Sequence, residues 1–380
     1  MLIYKNMHIA IDGNEANTKE KVGVSNYAFE ILWGFYRLNN LKSNPNTFSI
    51  FLKSNPNDDL PKENIFWKYK VVKGNKFWVL KKLTLQLYKR PRPDVFFTPS
   101  HYLPLSLKIP KIFTLHDLGY LKFSDHFKKY DYWQLKYWTA ISIYVSKYII
   151  AVSYSTKNDI VRQYPFALKK IRVIYHGFDN RRFNTKINNN FVRQILKKYN
   201  IDENYILFIG TLKPSKNIEG LIEGFYLIKD RFPEYKLVIA GKKGWLYDSI
   251  YNKVREKKLE NRVIFTDYIS EEDKPAIIKG ARVFVLPSFW EGFGMDVLSS
   301  LACGTPVVLS KLASLPEVGG SAGIYVDPFS PISISEGISK VLLMNELEYN
   351  NLVEKGFKQI KKFSWDKTAI KTISLIENAV

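Results

Sequence analysis

The chain has 380 residues, more than one comfortable hydrophobic core, so two domains are expected. With 46% apolar and 15% aromatic residues it is not a disordered chain, and its single cysteine, Cys303, excludes an intramolecular disulfide and fits a reducing compartment. The formal charge is +21 and uneven: residues 1–180 hold 28 Lys and Arg against 13 Asp and Glu, and the other 200 hold 29 against 23.

Short β-rich runs alternate with helix-period segments along the whole chain. In the first half, strands are expected at Met7–Asp12, Thr47–Lys53, Asp94–Ser100, Lys111–His116, Tyr148–Ser153 and Ile171–Tyr175, with helices over Val24–Leu38, Lys76–Lys89, Phe127–Val145 and Ser155–Tyr164. In the second half, strands are expected at Tyr205–Gly210, Lys236–Ala240, Arg262–Thr266, Val283–Pro287, Pro306–Leu309 and Gly323–Val326. The helix over Asn217–Lys229 keeps Ile218, Leu221, Ile222, Phe225 and Ile228 on one face. Runs such as Val283–Leu286 are apolar on both faces, as buried parallel strands are. This rhythm is that of an α/β chain with two Rossmann-like, doubly wound sheets. The periodicity breaks at Asn180–Asn190, which sets the expected boundaries: an N-terminal domain over 1–179, a linker over 180–190, a C-terminal domain over 191–363 and a final helix over 364–380.

Polar residues at Asp12, Asn14 and Glu15 cut short the only early apolar run, and no run reaches the length of a membrane span, so a cytoplasmic location is expected. Between Lys62 and Arg92, ten basic residues face one acid, Glu63, and interleave with Phe66, Trp67, Tyr69, Phe77, Trp78 and Tyr88. Such a surface suits an anionic leaflet or a pyrophosphate-linked lipid, which makes a peripheral position at the membrane an expectation. Its alternatives are plain solvated lysines and nucleic acid; no nucleic-acid module accompanies the charge, so no nucleic acid is expected.

Four segments carry chemistry. Ser288-Phe289-Trp290-Glu291-Gly292-Phe293-Gly294-Met295-Asp296 reads as strand end, acidic glycine turn and helix start, followed in register by Ala302-Cys303-Gly304-Thr305-Pro306-Val307-Val308. A carboxylate between glycines at a helix start suits a polyhydroxylated, phosphorylated ligand, because the first-turn N–H groups lack acceptors. Cys303 in this turn is a small packing residue. Upstream, Phe208-Ile209-Gly210-Thr211-Leu212-Lys213-Pro214-Ser215-Lys216-Asn217 brings a strand into a turn with two lysines at a helix mouth, where Lys216 can neutralise a diphosphate. Thr114-Leu115-His116-Asp117 ends a buried strand, and Asp12-Gly13 with Lys21-Val22-Gly23-Val24 leads into the first helix.

The acidic-turn block resembles the donor-sugar motif of the family 4 retaining glycosyltransferases, which have the GT-B fold: two Rossmann-like domains facing across a cleft that holds the ligand. The lysine segment resembles the same family's Gly-Thr-Leu-x-Pro-x-Lys-Asn stretch, 75 residues earlier and in family order. The resemblance implies a hexosyltransferase that moves a hexose, with mannose the best single guess, from a nucleotide-diphosphate sugar to a glycan or lipid-linked acceptor in polysaccharide or cell-envelope synthesis. GDP-mannose and UDP-hexose remain open as donors. By the same resemblance Glu291 binds the donor sugar with the backbone of Gly292, Phe293, Gly294 and Met295. Lys216, with Lys213, Gly210 and Gly23, holds the diphosphate, and His116 meets the transferred sugar. Asp117 orients its turn or meets the acceptor. Tyr268 and Ile269 hold the nucleotide base or simply pack at a strand end. No metal and no cofactor beyond the sugar nucleotide is implied, and the last helix is expected to cross back to the N-terminal domain.

Three departures stand out. Ser299 occupies the position of the family's second Glu, so a charge-assisted grip on the ribose, worth about 1.5–3 kcal/mol, shrinks to an ordinary hydrogen bond. Asp296, three residues earlier on the same helix, is the substitute carboxylate expected. Ser215 stands where many relatives have Arg, and Val22 where they have the first Gly of a pair. These departures make a non-catalytic sugar-nucleotide-binding or scaffold protein, or a basic membrane-binding protein with a vestigial donor site, the competing readings.

Overall fold

A computed structural model of the chain describes residues 6–21, 23–74, 77–100, 102–122 and 129–380. Val22, Lys76 and the first two residues of the helix expected over Phe127–Val145 lie outside the described residues. The chain divides into two compact units, Met1–Gly177 with Phe363–Val380, and Phe178–Lys362.

The first unit is built on β1 (His8–Asp12), β2 (Thr47–Leu52), β3 (Trp67–Val71), β4 (Val95–Thr98), β5 (Lys111–Leu115), β6 (Tyr148–Ala151) and β7 (Ile171–Val173). They form a parallel sheet in the order β3-β2-β1-β4-β5-β6-β7. The order reverses at β1, so the loops after β1 and β4 diverge there and leave a crevice at the carboxyl ends. β3 had no counterpart among the expected strands. Its Trp-Lys-Tyr-Lys-Val alternation buries Trp67 against Phe48, ring centroids 4.9 Å apart, and turns the lysines outward at the sheet edge. The helix expected over Lys76–Lys89 is shorter: Val79–Leu83 winds as a π-helix and continues as the α-helix Thr84–Leu87.

The second unit holds β8 (Tyr205–Ile209), β9 (Lys236–Ala240), β10 (Val263–Asp267), β11 (Val283–Leu286), β12 (Val307–Ser310) and β13 (Gly323–Val326). This sheet is also parallel, in the order β10-β9-β8-β11-β12-β13, and reverses between β8 and β11. Every residue of β8, β11 and β12 is buried, which explains why these strands read as unbroken apolar runs. Helices Ile218–Ile228 and Pro331–Leu342 pack together at Gly224, where an added Cβ would sit 2.9 Å from Ile334.

The stretch read as a linker, 180–190, is part of this second unit. Phe183 is buried, Arg182 pairs with Glu271 at 3.3 Å, and Lys279 donates to the Thr185 carbonyl at 3.1 Å. The asparagine triplet ends it by starting a helix: the Asn188 side chain caps Asn189–Lys198, accepting from the Asn190 N–H at 2.7 Å.

The last helix, Trp365–Glu377, belongs to the first unit and packs along helix Val24–Asn40. Asp366 pairs with Arg37 at 3.1 Å, Glu377 takes hydrogen bonds from Lys42 and Asn46, and Thr368 donates to the Tyr175 carbonyl at 2.7 Å. The residue before the first crossing is Gly177, and a Cβ there would lie 2.1 Å from the Trp365 nitrogen. Gly177→Ala therefore forces the returning helix off its seat. We expect a loss of about 1–3 kcal/mol, seen as a fall of several degrees in the thermal midpoint; an unchanged midpoint would refute this packing.

At the carboxyl end of β1, Asp12 is buried and its Oδ1 accepts from the Asn14 backbone N–H at 3.1 Å and side-chain amide at 2.6 Å. Burial pushes its carboxyl up to about 6, against the pull of those Asn14 bonds. The folded state thus binds a proton the unfolded state lacks between about pH 4 and 6, and stability falls as pH rises through that window. Asp12→Asn should raise the thermal midpoint at pH 8 and leave it nearly unchanged at pH 4; equal shifts at both would count against a buried carboxylate.

Candidate functional site

The donor-side site grows out of the strand-order reversal in the second unit, which sets the loops after β8 and β11 side by side. After β8, Gly210 donates to Ala240 at 2.9 Å. Gly241, after β9, comes so close that a Cβ there would meet the Gly210 oxygen at 1.9 Å. The chain then makes the Pro214–Lys216 turn and passes through Asn217 in left-handed conformation, φ 53°, into helix Ile218–Ile228. Asparagine tolerates this region better than most side chains. Its buried amide donates to the Pro287 carbonyl at 3.1 Å and to the Pro328 carbonyl at 2.6 Å.

After β11, the Phe289 N–H donates to the Ser215 carbonyl at 3.0 Å, which joins the two motif segments directly. Lys216 Nζ then lies 2.5 Å from Glu291 Oε1, with the side chains only 16% and 10% exposed. The Ser288 hydroxyl donates to the same carboxylate oxygen at 2.8 Å. The turn around Glu291 is held by Ser314, whose hydroxyl lies 3.0 Å from the carbonyls of both Glu291 and Phe293. Gly294, φ 91°, then starts helix Met295–Ala302, where a side chain would be strained and would also meet Leu315 at 2.9 Å. Its first-turn N–H groups have no acceptor within the helix. Lysine, carboxylate and helix start thus form one small site.

The remaining donor-side candidates lie in the same unit. Lys213 lies over the Trp245 ring at 5.1 Å, and Lys242 over the Tyr268 ring at 4.7 Å. Ile269 is buried. Ser299 is buried too, its hydroxyl 3.4 Å from the Met295 carbonyl of its own helix. Asp296, expected to stand in for it, is already engaged: its carboxylate lies 2.5 Å from Lys274, which also sits 3.6 Å from Glu271. Burial pulls the Lys274 ammonium down, but the Asp296 and Glu271 carboxylates outweigh it and hold it raised. A donor hydroxyl reaches Asp296 only in competition with that ammonium. Burial pushes the Cys303 thiol up to about 12, so it is a packing group and not a nucleophile at neutral pH.

Three candidates belong to the first unit. His116, buried at the end of β5, has Nε2 2.8 Å from the Pro99 carbonyl, and its ring meets the Tyr27 ring edge-on at 4.9 Å. Asp117 is exposed and accepts from the Gly119 N–H at 2.8 Å, which orients the turn. Gly23 starts helix Val24–Asn40 at φ 50° and is exposed, with no atom within 4 Å of an added Cβ.

Sequence reasoning passed over Asn217, Ser288, Ser314 and Lys274. Asn217 and Ser288 stand inside the motif segments, and a Pro turn followed by Asn at a helix start signals a left-handed residue. Ser314 and Lys274 carry no local signal, because Glu291 and Phe293 for the one and Asp296 for the other are 21–23 residues away in the chain.

Comparison with known proteins gives the family and the fold. Residues 191–359 match the family described as Glycosyl transferases group 1, and residues 55–182 match Glycosyltransferase Family 4. The O-antigen chain mannosyltransferase B of Escherichia coli is 30% identical over 291 residues, 74% of this chain and 73% of that one. Sucrose-phosphate synthase from Thermosynechococcus elongatus shares the fold with a TM-score of 0.78 at 19% identity, over 98% of this chain and 99% of that one. The Anabaena protein HepE, in complex with UDP-glucose, does so with a TM-score of 0.75 at 15% identity, over 98% and 100%. The chain belongs to the group 1, family 4 glycosyltransferases and has their GT-B fold.

Proposed function

We propose that this glycosyltransferase moves a hexose, mannose before others, from a nucleotide-diphosphate sugar to a glycan or lipid-linked acceptor in cell-envelope polysaccharide synthesis, with retention of configuration. The observation that carries the donor assignment is the Lys216–Glu291 pair. Two opposite charges largely removed from water neutralise each other. A sugar diphosphate offers each a better partner: phosphate oxygens for the ammonium, sugar hydroxyls for the carboxylate. The helix start at Met295 adds backbone donors, so the diphosphate is held by lysine and backbone with no metal ion required. Retention then proceeds by front-face attack assisted by the leaving phosphate, with no protein nucleophile. The relative named as an O-antigen mannosyltransferase supports mannose; UDP-hexose is the alternative donor.

Saturation-transfer NMR and turnover with GDP-, UDP- and ADP-sugars, comparing wild type with Glu291→Gln and Lys216→Met, test this reading. We expect GDP-mannose to bind preferentially and each variant to lose about 100-fold or more in kcat/KM, roughly 2.7 kcal/mol of transition-state stabilisation. Wild-type turnover in a folded Glu291→Gln protein would remove the sugar-binding role. Binding of a UDP-sugar alone would change the donor and keep the site.

We also propose that the protein works against an anionic leaflet. Within the Lys62–Arg92 segment Trp67 and Trp78 are core residues, 1% and 2% exposed, whereas Phe77 and Tyr88 are exposed. A second group of exposed side chains gathers at Tyr130, Trp133, Tyr137 and Tyr144 on helix Lys129–Val145, with Phe166 and Leu168 on the Pro165–Lys170 turn. Lys136 lies 5.0 Å over Trp133, and Lys170 6.0 Å over Tyr144. Rings with lysines among them suit the headgroup boundary of an anionic bilayer. No helix among the described residues is long and apolar enough to cross a membrane. Phosphatidylglycerol vesicles should sediment the protein in a salt-sensitive way, and Trp133→Ser with Tyr137→Ser should weaken this at least tenfold. Unchanged sedimentation would exclude this face.

A further inference from the structure

The chain leaves the first unit after Gly177 and returns to it at Phe363, and an aromatic stack lies beside both points. The Trp365 ring stacks on the His176 ring at 5.8 Å and 27°, and His176 stacks on Tyr27 at 4.6 Å and 30°. His116 closes the group, edge-on to Tyr27 at 4.9 Å and 5.5 Å from His176. Tyr27 cannot slide freely: its hydroxyl is 3.0 Å from Thr114 Oγ1, two residues before His116 on β5, and its N–H donates to the Gly23 carbonyl at 3.1 Å. Trp365 is fixed equally well, because it opens the returning helix and abuts Gly177.

We propose that Tyr27, His176 and Trp365 are positioning residues that set the ring plane of His116 and tie it to the two chain crossings. Four observations carry this. All four rings are buried, so none can be reoriented without repacking the others. The Pro99 carbonyl fixes one ring nitrogen of His116, and the Tyr27 face fixes the plane about that bond. Burial, with the nearby His116 as a smaller contribution, holds His176 well below its ordinary value, so it stacks as a neutral ring at physiological pH. The only residue between His176 and the crossing is Gly177, so a shift of the chain there reaches the stack without passing through any flexible segment. The proposal rests on His116 meeting the transferred sugar, and concerns how its geometry is held.

The test compares wild type, His176→Leu and His176→Phe. Leu fills a similar volume without a stacking plane, whereas Phe restores the plane without the nitrogens. His176→Leu should lower kcat about tenfold or more, leave the donor Kd within twofold, and move the His116 imidazole resonances in ¹⁵N-edited NMR. His176→Phe should recover most of kcat and return those resonances. If His176→Leu does not fold, Tyr27→Phe, which removes only the hydroxyl held near Thr114, should show the same changes at smaller amplitude. Wild-type kcat with unmoved His116 resonances in a folded His176→Leu or Tyr27→Phe protein would overturn the proposal. A separate His116→Ala variant distinguishes the two levels: if it keeps full turnover, the sugar-contact role of His116 fails, whatever the stack does to its ring.

Discussion

The candidate site of the second unit is organised by one largely buried ion pair. Taking an ammonium and a carboxylate out of water costs several kcal/mol each, and a pair rarely returns more than it costs. Lys216 and Glu291 are therefore poor stabilisers, and a pair of leucines would serve the fold as well. In the donor-binding role proposed for it, the pair would divide into an anion holder and a hydroxyl acceptor when a sugar diphosphate enters. The fold serves this by reversing strand order between β8 and β11, which brings together segments 75 residues apart. The Phe289–Ser215 backbone bond, the Asn217 amide and the Ser314 hydroxyl then fix the loops, so that the charges meet at one distance.

Close backbone approach is the second constraint. At Gly241 the obstacle is the Gly210 carbonyl, and at Gly177 it is the Trp365 nitrogen; in both cases a single carbon would displace main chain. Gly294 differs, since its positive φ aims the following helix as much as its missing side chain makes room. These glycines thus do separate jobs: one closes the strand-end loops, one seats the returning helix, and one directs N–H groups outward.

The sequence disclosed most of the sheet architecture because parallel strands buried on both faces are continuous apolar runs, and nearly every such run is a strand. It hid β3 because an edge strand needs only one buried face, and Trp67 and Tyr69 alternating with lysines look like a charged surface. Lys216 and Glu291 were legible because each sits in a compact local pattern of glycine, proline and helix start. Their bond to each other was not, since it depends on sheet order. The same reason hid Lys274 from the reading of Asp296: i,i+3 spacing on a helix showed where the carboxylate lies but not which cation faces it from Lys274–Gly280. The capping asparagine of helix Asn189–Lys198 looked like linker, because Asn is favoured both in loops and at helix starts.

The two units divide the chemistry by charge. Lysines and carboxylates of the candidate site lie in the second unit, where a diphosphate leaving group needs neutralising. Beside His116 lie the Pro99 carbonyl and the rings of Tyr27 and His176: burial keeps His176 unprotonated and keeps the Tyr27 phenol well above its usual range. In the sugar-contact role proposed for it, the His116 imidazole would hold a sugar hydroxyl by a hydrogen bond that strengthens as positive charge develops on the transferred ring. Front-face displacement asks for that kind of partner, because the proton from the acceptor goes to the departing phosphate and none need pass through the protein.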